Sequence, residues 1–315
     1  MKHFISCDWG SSWLRLRLIN AETKAVLAET KSAQGITATY ALWKNEPETD
    51  RVLFYSNIIL EQILLLQQQC NYSLNDVIIV ISGMASSAIG MMELPYKAIP
   101  FYINKAELET HIIPATEICR HTMILISGVR SANDVMRGEE TILAGCAVKD
   151  SNEKKLFIFP GTHSKHAVVH NGMIEEIKTF ITGEVFELLS SKSILAASVE
   201  KNNYAAEYKA AFIKGVYEAA SSSILNTVFH VRTNSLFSIL SNKENYHYLS
   251  GLLIGEELKN IQTENYAAVI IVSTGALQIL YTDALLALNY KDKLQQQDAD
   301  EALINAQTFI FDHYQ

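Results

Sequence analysis

Two strand–small turn–strand units constrain this chain more than any other feature. In the first, an apolar strand from Phe4 to Cys7 runs straight into Asp8-Trp9-Gly10-Ser11-Ser12 and then into an alternating strand, Leu14 to Ile19. Antiparallel strands joined by a Gly/Ser turn present backbone N–H groups and small hydroxyls outward, and an aspartate beside the turn can hold Mg2+ directly or through water. Taken alone, Asp-X-Gly-Ser between strands is equally an ordinary hairpin connection. A second copy shifts the balance. Leu156 to Phe159 is again apolar, followed by Pro160-Gly161-Thr162-His163-Ser164-Lys165 and by the strand His166 to His170, which turns at Asn171-Gly172. A duplicated fold, with one phosphate turn from each half facing a shared cleft, would show this pattern.

The bulk of the chain excludes several alternatives. At 315 residues, 49% hydrophobic and 19% charged, it can bury an ordinary core in one large or two medium domains. No apolar run reaches the roughly 18 residues of a membrane helix. Met1-Lys2-His3-Phe4 leads into the first strand without a signal-peptide pattern. A formal charge of −8 without a Lys/Arg cluster argues against nucleic acid and anionic membrane surfaces. Cys7, Cys70, Cys119 and Cys146 are scattered, so reduced thiols and a cytoplasmic location are expected.

Strand and helix signals alternate, as an α/β fold requires. After a third strand near Ala25 to Glu29, a helix is expected over 51–69, its broad apolar face carrying Leu53, Ile58, Leu60, Ile63, Leu64 and Leu66. Val77 to Ser82 reads as a buried strand ending at Gly83, and Ile124 to Ser127 as another. The domain boundary is placed there, giving 1–127 and 128–315. The second half should carry helices over about 183–195, 207–229, 243–262 and 276–288 with a strand at 268–272. Lys293 to Asp300 is expected as a polar loop, and a helix over about 299–312 as docked but peripheral. No low-complexity linker separates the halves, so they should share a hinge.

The string Asp134-Val135-Met136-Arg137-Gly138-Glu139-Glu140-Thr141, with Pro160 to Lys165 and Thr182-Gly183-Glu184, resembles the 2-dehydro-3-deoxygalactonokinase family of the actin-like ATPase superfamily. Asp8 to Ser12 with Leu14 to Leu18, the stretch Gly83-Met84 through Gly90, Glu93, Pro95-Tyr96 and Pro100, and Leu249 to Gly255 agree with it. The resemblance covers most of the chain. It implies two actin-like (ribonuclease H-like) α/β domains with a cleft between them. The implied activity is ATP-dependent phosphorylation of 2-dehydro-3-deoxy-D-galactonate at O6, with ATP and Mg2+, and it leaves room for a homodimer.

Each block then has an expected role. Phosphoryl transfer is catalysed mainly by positioning and charge neutralisation. Asp8 would serve Mg2+; Gly10, Ser11 and Ser12 the γ-phosphate; Gly161, Thr162 and Ser164 the β/γ-phosphates from the other half. Lys165 either adds a point charge there or is a solvated strand residue. The base that takes the hydroxyl proton must be a carboxylate, and Asp134, Glu139 and Glu140 are the candidates. Asp134 is favoured by its Asn133-Asp134 pair; in the competing reading it caps a helix while Glu139 acts. Arg137 is chosen for the substrate carboxylate, with Gly83, Met84, Ser86 and Ser87 as the sugar-side loop ending a buried strand. Arg15 and Arg17 share a strand face, where salt-bridging is expected. Ser273, Thr274 and Gly275, in a strand–turn–helix unit, would meet adenosine. His163 and His166, with no third ligand nearby in sequence, argue against zinc.

The chain departs from the family pattern in several places. Ser86 and Met91 stand where glycine and tryptophan are usual, Ser127 where proline is common and His166 where an aromatic is common. The tail Phe309 to Gln315 lacks the usual glycine-containing final helix. The first two changes bear on substrate identity, so a kinase of a different keto-deoxy sugar acid is the alternative. A non-catalytic actin-like nucleotide switch is a second, disfavoured by the full acidic loop, and an iron–sulfur activator ATPase a third, opposed by the scattered cysteines.

Overall fold

The computed structural model describes residues 2–46, 48–103, 108–147 and 152–314. Its contacts divide the chain into two compact α/β units, Met1–Asp150 with Gly172–Ile177 and Ala299–Gln315, and Ser151–Asn171 with Lys178–Asp298.

In the first unit, β1 (His3–Trp9), β2 (Leu14–Asn20) and β3 (Val26–Ser32) form an antiparallel meander, followed by α1 (Ile36–Trp43) and α2 (Arg51–Gln67). Asp50 starts α2 by accepting the Leu53 N–H, as a helix cap should. Tyr55, Ile58, Ile59, Ile63 and Leu66 bury its apolar face, whereas Leu64, expected on that face, is 66% exposed. Then come β4 (Ile79–Gly83), β5 (Lys97–Ala98), β6 (Phe101–Tyr102), β7 (Thr110–Ile113), β8 (Met123–Ile126), β9 (Val129–Arg130), β10 (Val135–Met136) and α3 (Glu139–Gly145). The main sheet runs β3-β2-β1-β4-β8-β7, with the fully buried β4 parallel to both β1 and β8.

The second unit holds β11 (Lys155–Phe159) and β12 (Ser164–His170), which pair as an antiparallel hairpin. It is followed by β13 (Met173–Phe180), whose first residues group with the first unit, where Met173 and Ile174 pair with Tyr102 and Phe101. Next are α4 (Thr182–Ser191), α5 (Lys209–Ser221), α6 (Ile224–Thr227), α7 (His230–Leu236), α8 (Asn242–Leu258), β14 (Ala268–Ser273), α9 (Gly275–Ala287) and β15 (Leu294–Asp298). Both β11 and β15 lie parallel to β14. In α8, Gly251 lets α5 approach closely: a Cβ there would lie 2.0 Å from the Phe212 carbonyl oxygen. The Leu249 to Gly255 block is therefore helix-packing sequence.

Four expectations need correction. The division expected after residue 127 falls later, because β9 pairs with β5 and α3 packs on the C-terminal helix, α10 (Ala299–His313). The stretch expected as a polar loop forms β15, whose backbone pairs with β14 while Gln295 and Gln296 stay exposed. The helix expected over 207–229 is broken at Ser222–Ser223. Finally, α10 is no peripheral element. Phe311 stacks on Phe4 at 5.0 Å, and buried Gln307 donates to the Cys7 carbonyl at 3.3 Å and the Ser82 hydroxyl at 3.0 Å. Among the described residues, no helix is long and apolar enough to cross a membrane.

Candidate active site

The first turn, Gly10 to Trp13, is closed by the Gly10 N–H donating to the Trp13 carbonyl at 3.0 Å. It is braced from behind by the start of α1: Ile36 N–H donates to Gly10 O at 2.9 Å and Thr37 N–H to Ser11 O at 3.1 Å. Gly35 lies against Ser12, where a Cβ would sit 2.3 Å from the Ser12 carbonyl carbon. Ser11 and Ser12 are exposed, and their N–H groups take no partner among the described residues. Such a turn offers an anion outward-pointing donors on a fixed backbone.

Asp8, next to last in β1, stands beside this turn. Its carboxylate is 38% exposed and accepts from Arg15 at 3.1 Å, while Arg15 also reaches Asp300 at 2.6 Å. Arg17, nearly buried, pairs with Glu29 and Asp300, each at 2.6 Å, so both arginines form the salt bridges expected. Among the described residues no three acidic, His or Cys side chains cluster as a protein-only metal site. One accessible carboxylate nevertheless fits Mg2+, which binds through one or two carboxylates and completes its shell with phosphate and water.

The sugar-side loop follows β4. Gly83 takes φ +92°, and a Cβ there would press on the Trp9 carbonyl, so the strand end lies directly beside the first turn. Met84–Ser86 form one 3-10 turn. Ser86 is fully buried: its hydroxyl and carbonyl accept from one guanidinium nitrogen of Arg137, each at 2.5 Å. The second nitrogen reaches Leu94 O at 3.5 Å, and the guanidinium lies 4.1 Å from the Tyr96 ring centre. The expected carboxylate anchor is thus largely committed to shaping the loop. Two buried polar atoms here, Arg137 Nε and Ser87 Oγ, have no hydrogen-bond partner among the described residues. Met91 is also buried, so both departures from the family pattern change the loop's interior.

The acidic string divides. Asp134 sits in the turn between β9 and β10, where its carboxylate accepts from the Val135 N–H at 2.8 Å, and it caps no helix. Glu139 opens α3 and accepts from the Arg137 N–H at 3.1 Å. Glu140 is 1% exposed and accepts from the Gly138 N–H at 2.7 Å and the Thr141 hydroxyl at 3.0 Å. Burial, reinforced by the neighbouring Glu139 charge, pushes its carboxyl up to about 8. A Cβ on Gly138 would come within 3.2 Å of Gly83 Cα, so α3 starts against the end of β4.

The second turn is braced as the first is. Glu184 N–H, in the first turn of α4, donates to Thr162 O at 3.1 Å, and a Cβ on Gly183 would meet Gly161 O at 2.6 Å. Gly161 is open and Thr162 exposed. Ser164 is not available as expected: its hydroxyl is buried and donates to Glu257 at 2.7 Å. Nor is Lys165 solvated; it is buried in β12 and donates to the Thr179 hydroxyl at 2.7 Å. His163 pairs with Glu184 at 2.6 Å and His166 with Glu257 at 2.9 Å, so the two imidazoles go separate ways.

At the end of β14, Ser273 is buried, Thr274 is exposed, and Gly275 opens α9 at φ +63°. Beside this turn lies a cavity of about 290 Å³, lined by Gly161, Gly183, Phe186, Asn202, Tyr246 and Leu277 among others. Sequence reasoning missed Phe186, Asn202 and Tyr246 because no motif links three separate segments. It missed Glu257 too, although a carboxylate four residues after Leu253 on an apolar helix face was a readable signal.

The chain has relatives along nearly its whole length. Residues 8–308 match the family model for 2-keto-3-deoxy-galactonokinase. A Rhizobium meliloti (strain 1021) protein named as a probable 2-dehydro-3-deoxygalactonokinase is 30% identical over 308 residues, covering 96% of this chain and 94% of its own. The 2-dehydro-3-deoxygalactonokinase of Escherichia coli (strain K12) is 25% identical over 292 residues, 90% of each chain. A crystal structure from Sinorhizobium meliloti carrying the same kinase name superposes with a TM-score of 0.81 at 30% identity, over 97% of this chain and 94% of that one.

Proposed function

The chain belongs to the 2-keto-3-deoxy-galactonokinase family, and on the premise that it is an ATP-dependent kinase of 2-dehydro-3-deoxygalactonate we propose how its residues carry out the transfer to O6. The observation that carries the reading is the pair of like-built turns, each an exposed Gly/Ser/Thr hairpin held by a helix start through a close-packed glycine. The turn at Gly10, Ser11 and Ser12 and the turn at Gly161 and Thr162 each offer N–H groups of the kind that hold a phosphate. Asp8 would hold Mg2+, which when bound neutralises charge developing on the transferred group. The cavity beside Gly275 suits adenosine, since it combines apolar and aromatic walls (Phe186, Tyr246, Leu277) with polar groups such as Asn202 and Ser250.

Glu140 is the base we favour over Glu139 and Asp134. It starts a helix beside β4 and the first turn, and a carboxyl near 8 is matched to taking a proton at neutral pH. Arg137 shapes the sugar-side loop, and its unpartnered Nε with Ser87 Oγ supplies donors to the sugar acid. A cytoplasmic location accords with the scattered free cysteines.

The test is ADP release with Mg-ATP and a panel of 2-dehydro-3-deoxygalactonate, its gluconate epimer and plain aldoses. Turnover confined to the galactonate epimer is expected. Equal turnover with the gluconate epimer would mean that the buried Ser86 and Met91 have reshaped the loop for another keto-deoxy acid.

A further inference from the structure

We propose that Glu257 is a positioning residue for the nucleotide, fixing the second phosphate turn relative to α4 and α9; this rests on the reading that the turn and the adjoining cavity hold ATP. Four donors from three elements converge on its one carboxylate. Ser164 and His166 of β12 donate to Oε1 at 2.7 and 2.9 Å, and Thr182 of α4 and Tyr281 of α9 donate to Oε2 at 2.5 and 2.7 Å. Thr182 immediately precedes Gly183, the residue packed on Gly161, and both Thr182 and Tyr281 line the cavity. The carboxylate therefore sits where the turn, the helix that braces it and the cavity wall meet.

Only a carboxylate can do this. Two oxygens accept four hydrogen bonds, whereas a glutamine has one acceptor oxygen and turns an NH2 donor toward two of the same hydroxyls or the imidazole. Burial alone would raise the Glu257 carboxyl, but the bonds from His166, Thr182 and Tyr281 outweigh it and hold it below the usual range. The charge is thus retained and absorbed within the unit, leaving the outward face of the turn to its N–H groups.

Full-length Glu257→Gln is compared with the natural chain in steady-state kinetics and in displacement of a fluorescent ADP analogue without sugar acid. The expected result is a rise of about tenfold or more in the ATP KM and in the ADP Kd, with the sugar-acid KM moved less than about twofold. Ser164→Ala and Thr182→Val, each deleting one donor, should shift ATP binding in the same direction by less, and carry the test if Glu257→Gln does not fold. Equal rises in both KM values, or unchanged nucleotide affinity, overturn the proposal. Failure of the natural chain to bind ADP overturns the nucleotide reading itself, and the proposal with it.

Discussion

Replacing Glu140 by glutamine separates stability from catalysis by sign. In the folded chain burial and the Glu139 charge move this carboxyl from 4.5 to about 8, which makes its ionisation less favourable by about 5 kcal/mol. Below about pH 4.5 both folded and unfolded chains carry the proton, and the contribution to stability is fully present. As pH rises from there the unfolded chain releases the proton while the folded chain keeps it, so stability falls by about 1.4 kcal/mol per pH unit. The loss is complete once pH passes through about 8. Glutamine keeps an acceptor for the Gly138 N–H and does not titrate. The stability of Glu140→Gln relative to the natural chain should therefore climb by about 4–5 kcal/mol between about pH 4.5 and pH 9, read from urea unfolding at matched pH. Catalysis runs the other way. The natural kcat/KM should rise with pH toward a plateau above about 8, and Glu140→Gln should lose about a hundredfold or more throughout. A pH-independent stability gap would refute the buried titration, and near-natural turnover by the variant would refute the base.

Gly183→Ala places a methyl group 2.6 Å from Gly161 O and 2.7 Å from Thr162 Cα, both backbone atoms. The phosphate turn must retreat by about 0.7 Å, so the ATP KM should rise about tenfold or more while the sugar-acid KM holds. An unchanged ATP KM would show that the turn is not used. Asp300→Asn leaves Arg17, nearly buried, without one of its two carboxylates, and should lower unfolding stability by about 2–3 kcal/mol. Burial opposes ionisation of Asp300, but Arg15 and Arg17 outweigh it and hold the carboxyl below its usual value. Its contribution is therefore present at neutral pH and disappears as pH falls through that depressed value, a loss the asparagine variant should not show in acid-unfolding curves.

Much of the strand framework was legible because a buried parallel strand leaves a continuous apolar run, as Ile79 to Ile81 and Ala268 to Val272 do. What was not legible depended on partners remote in sequence. Leu294–Asp298 reads as loop because an edge strand is polar, and only pairing to β14 makes it a strand. Nothing in Arg137 predicted that Ser86, Leu94 and Tyr96 would surround it. Asp134 drew attention through its Asn-Asp pair, yet such pairs favour turns by bonding their own backbone, and that is where the residue lies.

The repeat itself was only half visible. The two hairpins share small residues, but the structural unit that recurs is larger: a turn, a glycine pressed onto it and a helix start donating to the turn's carbonyl, as with Gly35 and α1 or Gly183 and α4. Within this shared frame the two carboxylates differ in placement. Asp8 stands partly exposed at the turn's mouth with one arginine partner, whereas Glu257 lies beneath its turn with four donors folded onto it. An exposed carboxylate near phosphate repels it unless a cation lies between them, while an enclosed one already neutralised by its donors does not. On the proposed reading, the same backbone motif would recruit a metal ion in one unit and hold an anion by N–H groups alone in the other, according to where one acidic side chain lies.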